Sequence, residues 1–177
     1  MEGNPLSAVA RMVVPLSIRP LVAGDLDAVS GIEMAARPWT AQWPRDAYLC
    51  APGSGRCAWV AVRDGSVAGF VLTGEAPGEV EILNLAVAGP ARRSGVGVAL
   101  ARTALDAAVA RGATRAFLEV RASNAGAIAF YTALGFTETG RRRGYYSEPQ
   151  EDALVLSAPL PVRPLPPSAK PPDTVDT

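Results

Sequence analysis

The sequence predicts an α/β fold, a single domain whose mixed central sheet carries helices on both faces. Strand-type segments near the start of the chain form a hairpin pattern, and strand–helix–strand–helix–strand segments follow it. The chain has 177 residues, of which 49% are hydrophobic and 19% charged. These values fit one globular domain with a substantial core.

In the first half of the chain, turn signals separate short segments of strand or helix periodicity. The dipeptide Asp64-Gly65 is typical of tight hairpin turns and predicts that the strands on either side of it pair. The predicted elements are a strand over residues 16–20, a helix over 25–36, a short helix or loop ending at Tyr48, and strands over 57–62, 67–73 and 79–87.

The second half predicts two helices between three further strands. The first helix has a clear apolar stripe and ends before Gly112, which suits a C-cap. The second begins after Ser123 or Asn124 and ends at Leu134. The predicted ranges are a helix over 96–111, a strand over 116–120, the second helix, and strands over 136–141 and 152–158. We expect residues 1–15 to be a loose leader, 16–160 the domain and 161–177 a flexible proline-rich tail.

Composition narrows the classes of function. Seventeen basic and 17 acidic residues balance, so no net field draws the chain to nucleic acid. There is no histidine, and two cysteines make neither a zinc set nor a disulfide framework. No apolar stretch has membrane-spanning length, and no convincing signal peptide is present. We therefore expect a cytoplasmic protein with no metal, nucleic acid or membrane partner; its oligomeric state is not predicted.

A glycine-containing turn, RRSGVG at residues 92–97, lies between a strand and a helix. Helix N-termini leave N–H groups unpaired and favour anions, and glycines let phosphate oxygens approach the backbone. A Walker loop needs Gly-Lys-Ser/Thr, and a dinucleotide fingerprint needs a glycine where Leu100 stands, so neither fits. A plain tight turn before a helix is the alternative.

Ordered motifs give the chain a resemblance to the GNAT acyltransferase superfamily. They are NLAV at residues 84–87, RRSGVG, LEVRASNAGAIAFYTALGF from Leu118, and RRRGYY followed by EDALVL. Within the superfamily the chain resembles the ribosomal-protein alanine N-acetyltransferase (RimI-like) branch, which acetylates protein N-termini. The likeness covers residues 16–160 and includes Pro38-Trp39-Thr40, where that branch typically has Pro-Trp-Ser.

The resemblance implies a sheet splayed at its middle, with acetyl-CoA inserted between the strand ending at Val87 and the strand ending at Val120. Main-chain groups there would pair with the pantetheine arm as an added strand would. Asn124 would contact the cofactor or, alternatively, act only as a helix N-cap. The implied cofactor-binding residues are Leu85, Ala86, Val87, Arg92, Arg93, Ser94, Gly95, Val96, Gly97, Val98, Asn124 and Tyr131, with no metal required.

The resemblance also implies catalytic roles, with Glu119 as general base and Tyr131 as general acid. Glu81 lies where other branches of the superfamily carry their base, and a water relay from either carboxylate is an alternative. A structural ion pair with Arg121 is the competing interpretation for Glu119, and core packing is the competing one for Tyr131.

Residues 141–146 are expected to form a loop over the acceptor cleft. Tyr145 and Tyr146 would clamp a peptide backbone there, and Trp39 would line the same cleft or cap the core. The alternative for this segment is a hairpin tip with solvated arginines.

The acceptor is expected to be the N-terminal α-amine of a protein, with ribosomal proteins among the candidates. An α-amine of pKa about 8 costs roughly 1 kcal/mol to deprotonate at neutral pH, whereas a lysine of about 10.4 costs roughly 4 to 5. The alternatives are a small-molecule amine acceptor and a non-catalytic acyl-CoA-binding module.

Overall fold

The computed structural model describes residues 15–36, 43–51 and 53–162. The leader up to residue 14, the Pro38-Trp39-Thr40 element and the tail from residue 163 onward lie outside these ranges. Within them no group of three or more His, Cys, Asp or Glu side chains is placed to hold a metal ion. No helix in the same ranges is long and apolar enough to cross a membrane.

In the ranges that the structure describes, seven strands, numbered in chain order, form one mixed sheet in the order β1-β2-β3-β4-β5-β7-β6. The strands are β1 Ser17–Pro20, β2 Arg56–Arg63, β3 Ser66–Ala76, β4 Glu79–Val87, β5 Arg115–Arg121, β6 Thr137–Ser147 and β7 Gln150–Pro159. The helices are α1 Leu26–Ala36, α2 Val96–Ala110 and α3 Ala125–Ala133, with short 3-10 turns at Ala23–Asp25, Arg45–Tyr48 and Gly89–Ala91. The predicted α/β class is confirmed.

The β2–β3 hairpin turns where the sequence predicts it. Arg63 pairs with Ser66, and the two residues between them, Asp64 and Gly65, have φ values of 51° and 72°. A two-residue turn with positive φ at both positions matches the right-handed twist of the strands.

Helices on opposite faces of the sheet bury two separate clusters. The stripe of α2 packs with α3 residues on one face, where Leu100 and Ala104 are completely buried. Helix α1 covers the other face, where Val29 packs with Phe70 and Leu72. Both layers follow from the apolar residues that recur every three or four positions along α1 and α2.

The sheet opens between its two central strands. Strands β4 and β5 are parallel and pair only from Glu79↔Arg115 to Glu81↔Phe117, although both continue beyond that point. A bulge in β4 lies just past the last pair, since Leu72 is opposite Asn84 while the next β3 residue, Thr73, is opposite Ile82. The extra residue, Leu83, bends β4 away from β5. This confirms the expected splayed sheet.

The prediction of a loop over residues 141–146 is wrong, because these residues belong to β6. Arg142 is opposite Ala153 and Tyr146 is opposite Glu151, so three β6 residues face the single residue Asp152. The N–H of Gly144 donates to Asp152 Oδ1 at 2.9 Å across this irregularity. An irregular, largely exposed strand has no regular alternation, and the arginine-rich sequence therefore resembled a loop.

Candidate active site

The turn before α2 is exposed over residues 92–95 and contains two residues with positive φ. Gly95 caps α2 with φ of 84°, and Arg93 also has a positive φ of 57°. Ser94 Oγ donates to the carbonyl of Ala91 at 2.7 Å and accepts from Arg63 Nη1 at 3.0 Å. This pair of bonds ties the turn to the end of β2 and adds an arginine near the helix N-terminus, where anions are favoured.

The last residues of β4 lie beside this turn. Arg92 Nε donates to the carbonyl of Val87 at 3.2 Å. On the β3 side the backbones approach closely, because a Cβ on Gly69 would lie 2.8 Å from the carbonyl oxygen of Ala86. On the β5 side, no strand in the described part of the chain pairs with β4 beyond Glu81. The edge formed by Leu85, Ala86 and Val87 is therefore shaped to take an added extended chain.

Glu119, on β5, is held by two residues of β6. Its Oε1 lies 2.8 Å from Arg142 Nε in an ion pair, and its side chain is 15% exposed. A hydrogen bond from the Tyr145 hydroxyl to Glu119 is the main reason that the pKa of Tyr145 is raised, since the ionised phenol would face a carboxylate. The Arg142 guanidinium also lies 5.4 Å from the Tyr145 ring centre.

The alternative considered for Glu119, an ion pair with Arg121, is not formed. Arg121 Nη1 instead lies 3.1 Å from Glu151 Oε2, and its guanidinium lies 4.1 Å from the Tyr146 ring centre. Spacing along one strand placed Arg121 near Glu119, but groups on the neighbouring β7 and β6 strands provide the partners of both residues.

Glu81 lies across the opening from Glu119. Its register partner Phe117 is two residues before Glu119, so the three side chains share one face of the sheet. Partial burial raises the pKa of Glu81, the negative charge of Glu119 raises it further, and Arg142 opposes this effect. Among the described residues Glu81 takes part in no salt bridge. The charge of Glu119 thus acts on Glu81 across the split, and within the described residues Glu119 has a salt-bridge partner whereas Glu81 has none.

A groove on the α1 side of the sheet runs past Glu81. Its volume is about 290 Å³, and its lining includes Arg56, Gly74, Leu83 and Phe117. The Arg56 guanidinium lies 5.7 Å from the Trp43 ring centre at one side of this region. The groove therefore places Leu83 and Phe117 next to the half-buried carboxylate of Glu81.

Tyr131 is 8% exposed and packs in the cluster beneath α2 and α3. Its ring contacts those of Phe130 and Phe136 edge to face, with centroids at 4.9 and 5.6 Å. The ring of Tyr131 is thus packed in the core. This packing is compatible with a catalytic role for the hydroxyl, because a tyrosine side chain has an apolar ring and a polar tip.

Asn124 is the N-cap of α3, and its side chain accepts from the N–H of Ala127 at 3.1 Å. The capping role was one of the two alternatives for this residue. Capping uses the amide oxygen, so the amide nitrogen is the group with which Asn124 would contact a cofactor.

Tyr145 and Tyr146 come from the irregular part of β6. Their rings meet edge to face at 5.2 Å, and Tyr145 is 49% exposed. Trp39, the third residue assigned to the acceptor cleft, lies outside the described residues.

Sequence reasoning missed Arg63 and Arg142 as members of the site. Arg142 is one of three consecutive arginines, and nothing in that run marks which of them turns toward Glu119. Arg63 precedes a predicted hairpin turn and reaches Ser94 only through the folded sheet. Sequence reasoning also missed the buried Asn84. Here the sequence did contain a signal, because an asparagine within the apolar strand ILNLAV must be hydrogen-bonded when it is buried.

Comparison with known proteins agrees with this geometry. The Acetyltransferase (GNAT) family model matches residues 26–136. The [ribosomal protein bS18]-alanine N-acetyltransferase of Escherichia coli (strain K12) is 34% identical over 146 residues, covering 81% of this chain and 97% of that protein.

Solved structures give the same result. The crystal structure of the ribosomal-protein-S18-alanine N-acetyltransferase from Escherichia coli aligns with a TM-score of 0.70 and 32% identity, covering 82% of this chain and 94% of that one. Ard1 from Thermoplasma volcanium aligns with a TM-score of 0.72 and 30% identity, covering 82% and 98%. The chain therefore belongs to the GNAT acetyltransferase family.

Proposed function

We propose that this acetyltransferase moves an acetyl group from acetyl-CoA to the α-amine at the N-terminus of a protein. The observation that carries the proposal is the opening between β4 and β5 past Glu81↔Phe117, flanked by a helix N-terminal turn and by two carboxylates. The likeness to an enzyme named as a ribosomal protein bS18-alanine N-acetyltransferase supports this acceptor class and includes ribosomal proteins among the candidates. Such an acceptor would be met in the cytoplasm.

Acetyl-CoA would bind along the free edge of β4. Main-chain groups of Leu85, Ala86 and Val87 would hold the pantetheine arm, and the amides from Arg93 to Val98 would hold the pyrophosphate. Arg92 and Arg93, both exposed, add charge-assisted contacts to phosphate. Arg63 supports the turn through Ser94.

The two carboxylates would divide the proton chemistry. Glu119 is committed to Arg142 and Tyr145, so we assign it the task of orienting the incoming ammonium group. Glu81 is the more suitable proton acceptor, because burial and the charge of Glu119 raise its pKa toward the working pH. It would take the amine proton directly or through one water.

The oriented ammonium group first releases one proton to solvent; in the transfer step the neutral amine nitrogen then forms a bond to the thioester carbonyl carbon, and the carbon–sulfur bond breaks. The amine proton goes to Glu81, and the departing thiolate takes a proton from the Tyr131 hydroxyl. Glu81 then releases its proton to solvent, from which Tyr131 is reprotonated. The products are the N-acetylated protein and free CoA thiol.

The test is acetyl-CoA turnover against a library of peptides with free N-termini, read by mass spectrometry. N-terminally blocked peptides of the same sequence, each with one internal lysine, are the matched controls. We expect acetylation at free α-amines only. Acetylation confined to lysines or small amines would contradict the acceptor class, and tight CoA binding without turnover on any acceptor would contradict catalysis itself.

A further inference from the structure

Three polar side chains meet in the core on the α1 side of the sheet. Glu33 of α1, Tyr48 of the Arg45–Tyr48 turn and Asn84 of β4 are 3%, 1% and 2% exposed. Asn84 Nδ2 donates to Glu33 Oε1 at 2.8 Å and to Tyr48 Oη at 2.9 Å. Both hydrogens of one amide thus join an outer helix and an outer turn to the central strand.

The network lies at the point where the sheet opens. Asn84 follows the bulged residue Leu83, and the bulge turns both of these side chains toward α1. Asn84 also lies between Glu81 and the edge that begins at Leu85. Any shift of Asn84 would therefore move the proposed proton acceptor and the proposed cofactor edge together.

Stability alone is a poor explanation for these residues. Glu33 Oε2 and Asn84 Oδ1 are buried side-chain oxygens without a hydrogen-bond partner among the described residues. Buried polar groups that lack partners destabilise a core, and apolar residues of similar volume are often at least as stable. A network with this liability at the branch point of the sheet fits a requirement for geometry.

We propose that Glu33, Tyr48 and Asn84 are positioning residues that hold the β4 bulge, and that they couple the α1 side of the acceptor cleft to the acetyl-CoA edge of β4. The inference rests on the proposed function, because it assumes that acetyl-CoA binds at Leu85–Val87. It requires that changes on α1 and in the Arg45–Tyr48 turn, which do not belong to that edge, weaken cofactor binding.

The test measures the dissociation constant of acetyl-CoA by calorimetry, together with thermal stability, at a temperature where every variant is folded. Tyr48→Phe leaves one Asn84 N–H without its acceptor, and Glu33→Ala removes the other. We expect each to weaken acetyl-CoA binding at least fivefold. Asn84→Leu removes both donors and should weaken binding more strongly, and it should also lower Tm because the buried oxygens of Glu33 and Tyr48 lose their partner.

Two further variants separate positioning from general destabilisation. In Glu33→Gln the amide still accepts from Asn84 and offers a donor to Asn84 Oδ1, so binding should stay within twofold of wild type. Asp25→Asn weakens the bonds from Arg19, which are 2.7 and 2.8 Å long. Asp25 lies next to the start of α1, well before Glu33, the α1 residue that contacts Asn84. This variant should lower Tm and leave acetyl-CoA binding unchanged.

The inference is overturned if Tyr48→Phe and Glu33→Ala lower Tm but bind acetyl-CoA as wild type does. It is equally overturned if Asp25→Asn weakens binding as much as they do. Calorimetry needs no acceptor, so failure of every peptide to be acetylated would count against the proposed function and not against positioning. With an active peptide, the KM for acetyl-CoA should rise in the same order as the dissociation constants.

Discussion

Glu81 and Glu119 carry the same functional group on neighbouring strands, but their surroundings differ. Glu119 is bound to Arg142 at 2.8 Å and accepts a hydrogen bond from Tyr145. Glu81 has no salt-bridge partner among the described residues, and its pKa is raised by burial and by the charge of Glu119. In our proposal, the groups contributed by β6 therefore determine which carboxylate orients the substrate and which accepts the proton.

Replacing Glu81 should have the largest effect. We expect Glu81→Gln to lower kcat/KM by about 10²- to 10⁴-fold, the usual contribution of a general base, with acetyl-CoA affinity unchanged. Glu79→Gln, an exposed carboxylate on the same strand, is the control and should behave as wild type. Full activity of Glu81→Gln would reverse the assignment of the two residues.

Replacing Tyr131 tests the other side of the reaction. Tyr131→Phe keeps the ring that packs between Phe130 and Phe136 and removes only the hydroxyl. Steady-state kinetics should show kcat lower by about 10²-fold, as expected for loss of a general acid, with little change in the acetyl-CoA dissociation constant. Equal loss of turnover and affinity would identify Tyr131 as a packing residue.

Replacing Glu119 should have a smaller effect and change the pH dependence. Glu119→Gln removes a negative charge that raises the pKa of Glu81, so Glu81 stays deprotonated to lower pH. The acid limb of kcat/KM should move to lower pH, with about a tenfold loss at neutral pH from poorer orientation of the amine. If Glu119 is itself the base, the activity and its acid limb will both be lost.

Replacing Arg142 should have the smallest effect on activity and should shift the pKa of Glu81 in the opposite direction. Arg142 lowers the pKa of Glu81, so Arg142→Ala should raise it and move the acid limb to higher pH. The pH profile of Arg143→Ala, an exposed neighbour, should match the wild type. Acid limbs that move in the same direction in Arg142→Ala and Glu119→Gln would refute the electrostatic coupling.

Local patterns made most of the fold predictable. The Asp64-Gly65 turn, the bounds of β4 and the stripe of α2 depend on neighbours in sequence, and all three are confirmed. The bulges could not be predicted in this way, because extra residues in β4 or β6 shift side chains between faces without a local signal in the sequence.

The candidate site was predictable in its residues and less so in its contacts. Glu81 and Glu119 could be selected from the sequence because their strands and motifs were recognisable. The pairing of Glu119 with Arg142 and not with Arg121 could not be predicted from the sequence, since it depends on how β6 and β7 lie beside β5. The same is true of the contact between Arg63 and Ser94 and of the network around Asn84.

The most direct test is to measure the pKa of Glu81 by carbon-13 NMR of labelled glutamate side chains in the wild type and in Glu119→Gln. We predict that the pKa of Glu81 is raised from the ordinary value of a glutamate in the wild type and that it falls in the variant. An ordinary pKa for Glu81 in both proteins would contradict its assignment as the proton acceptor.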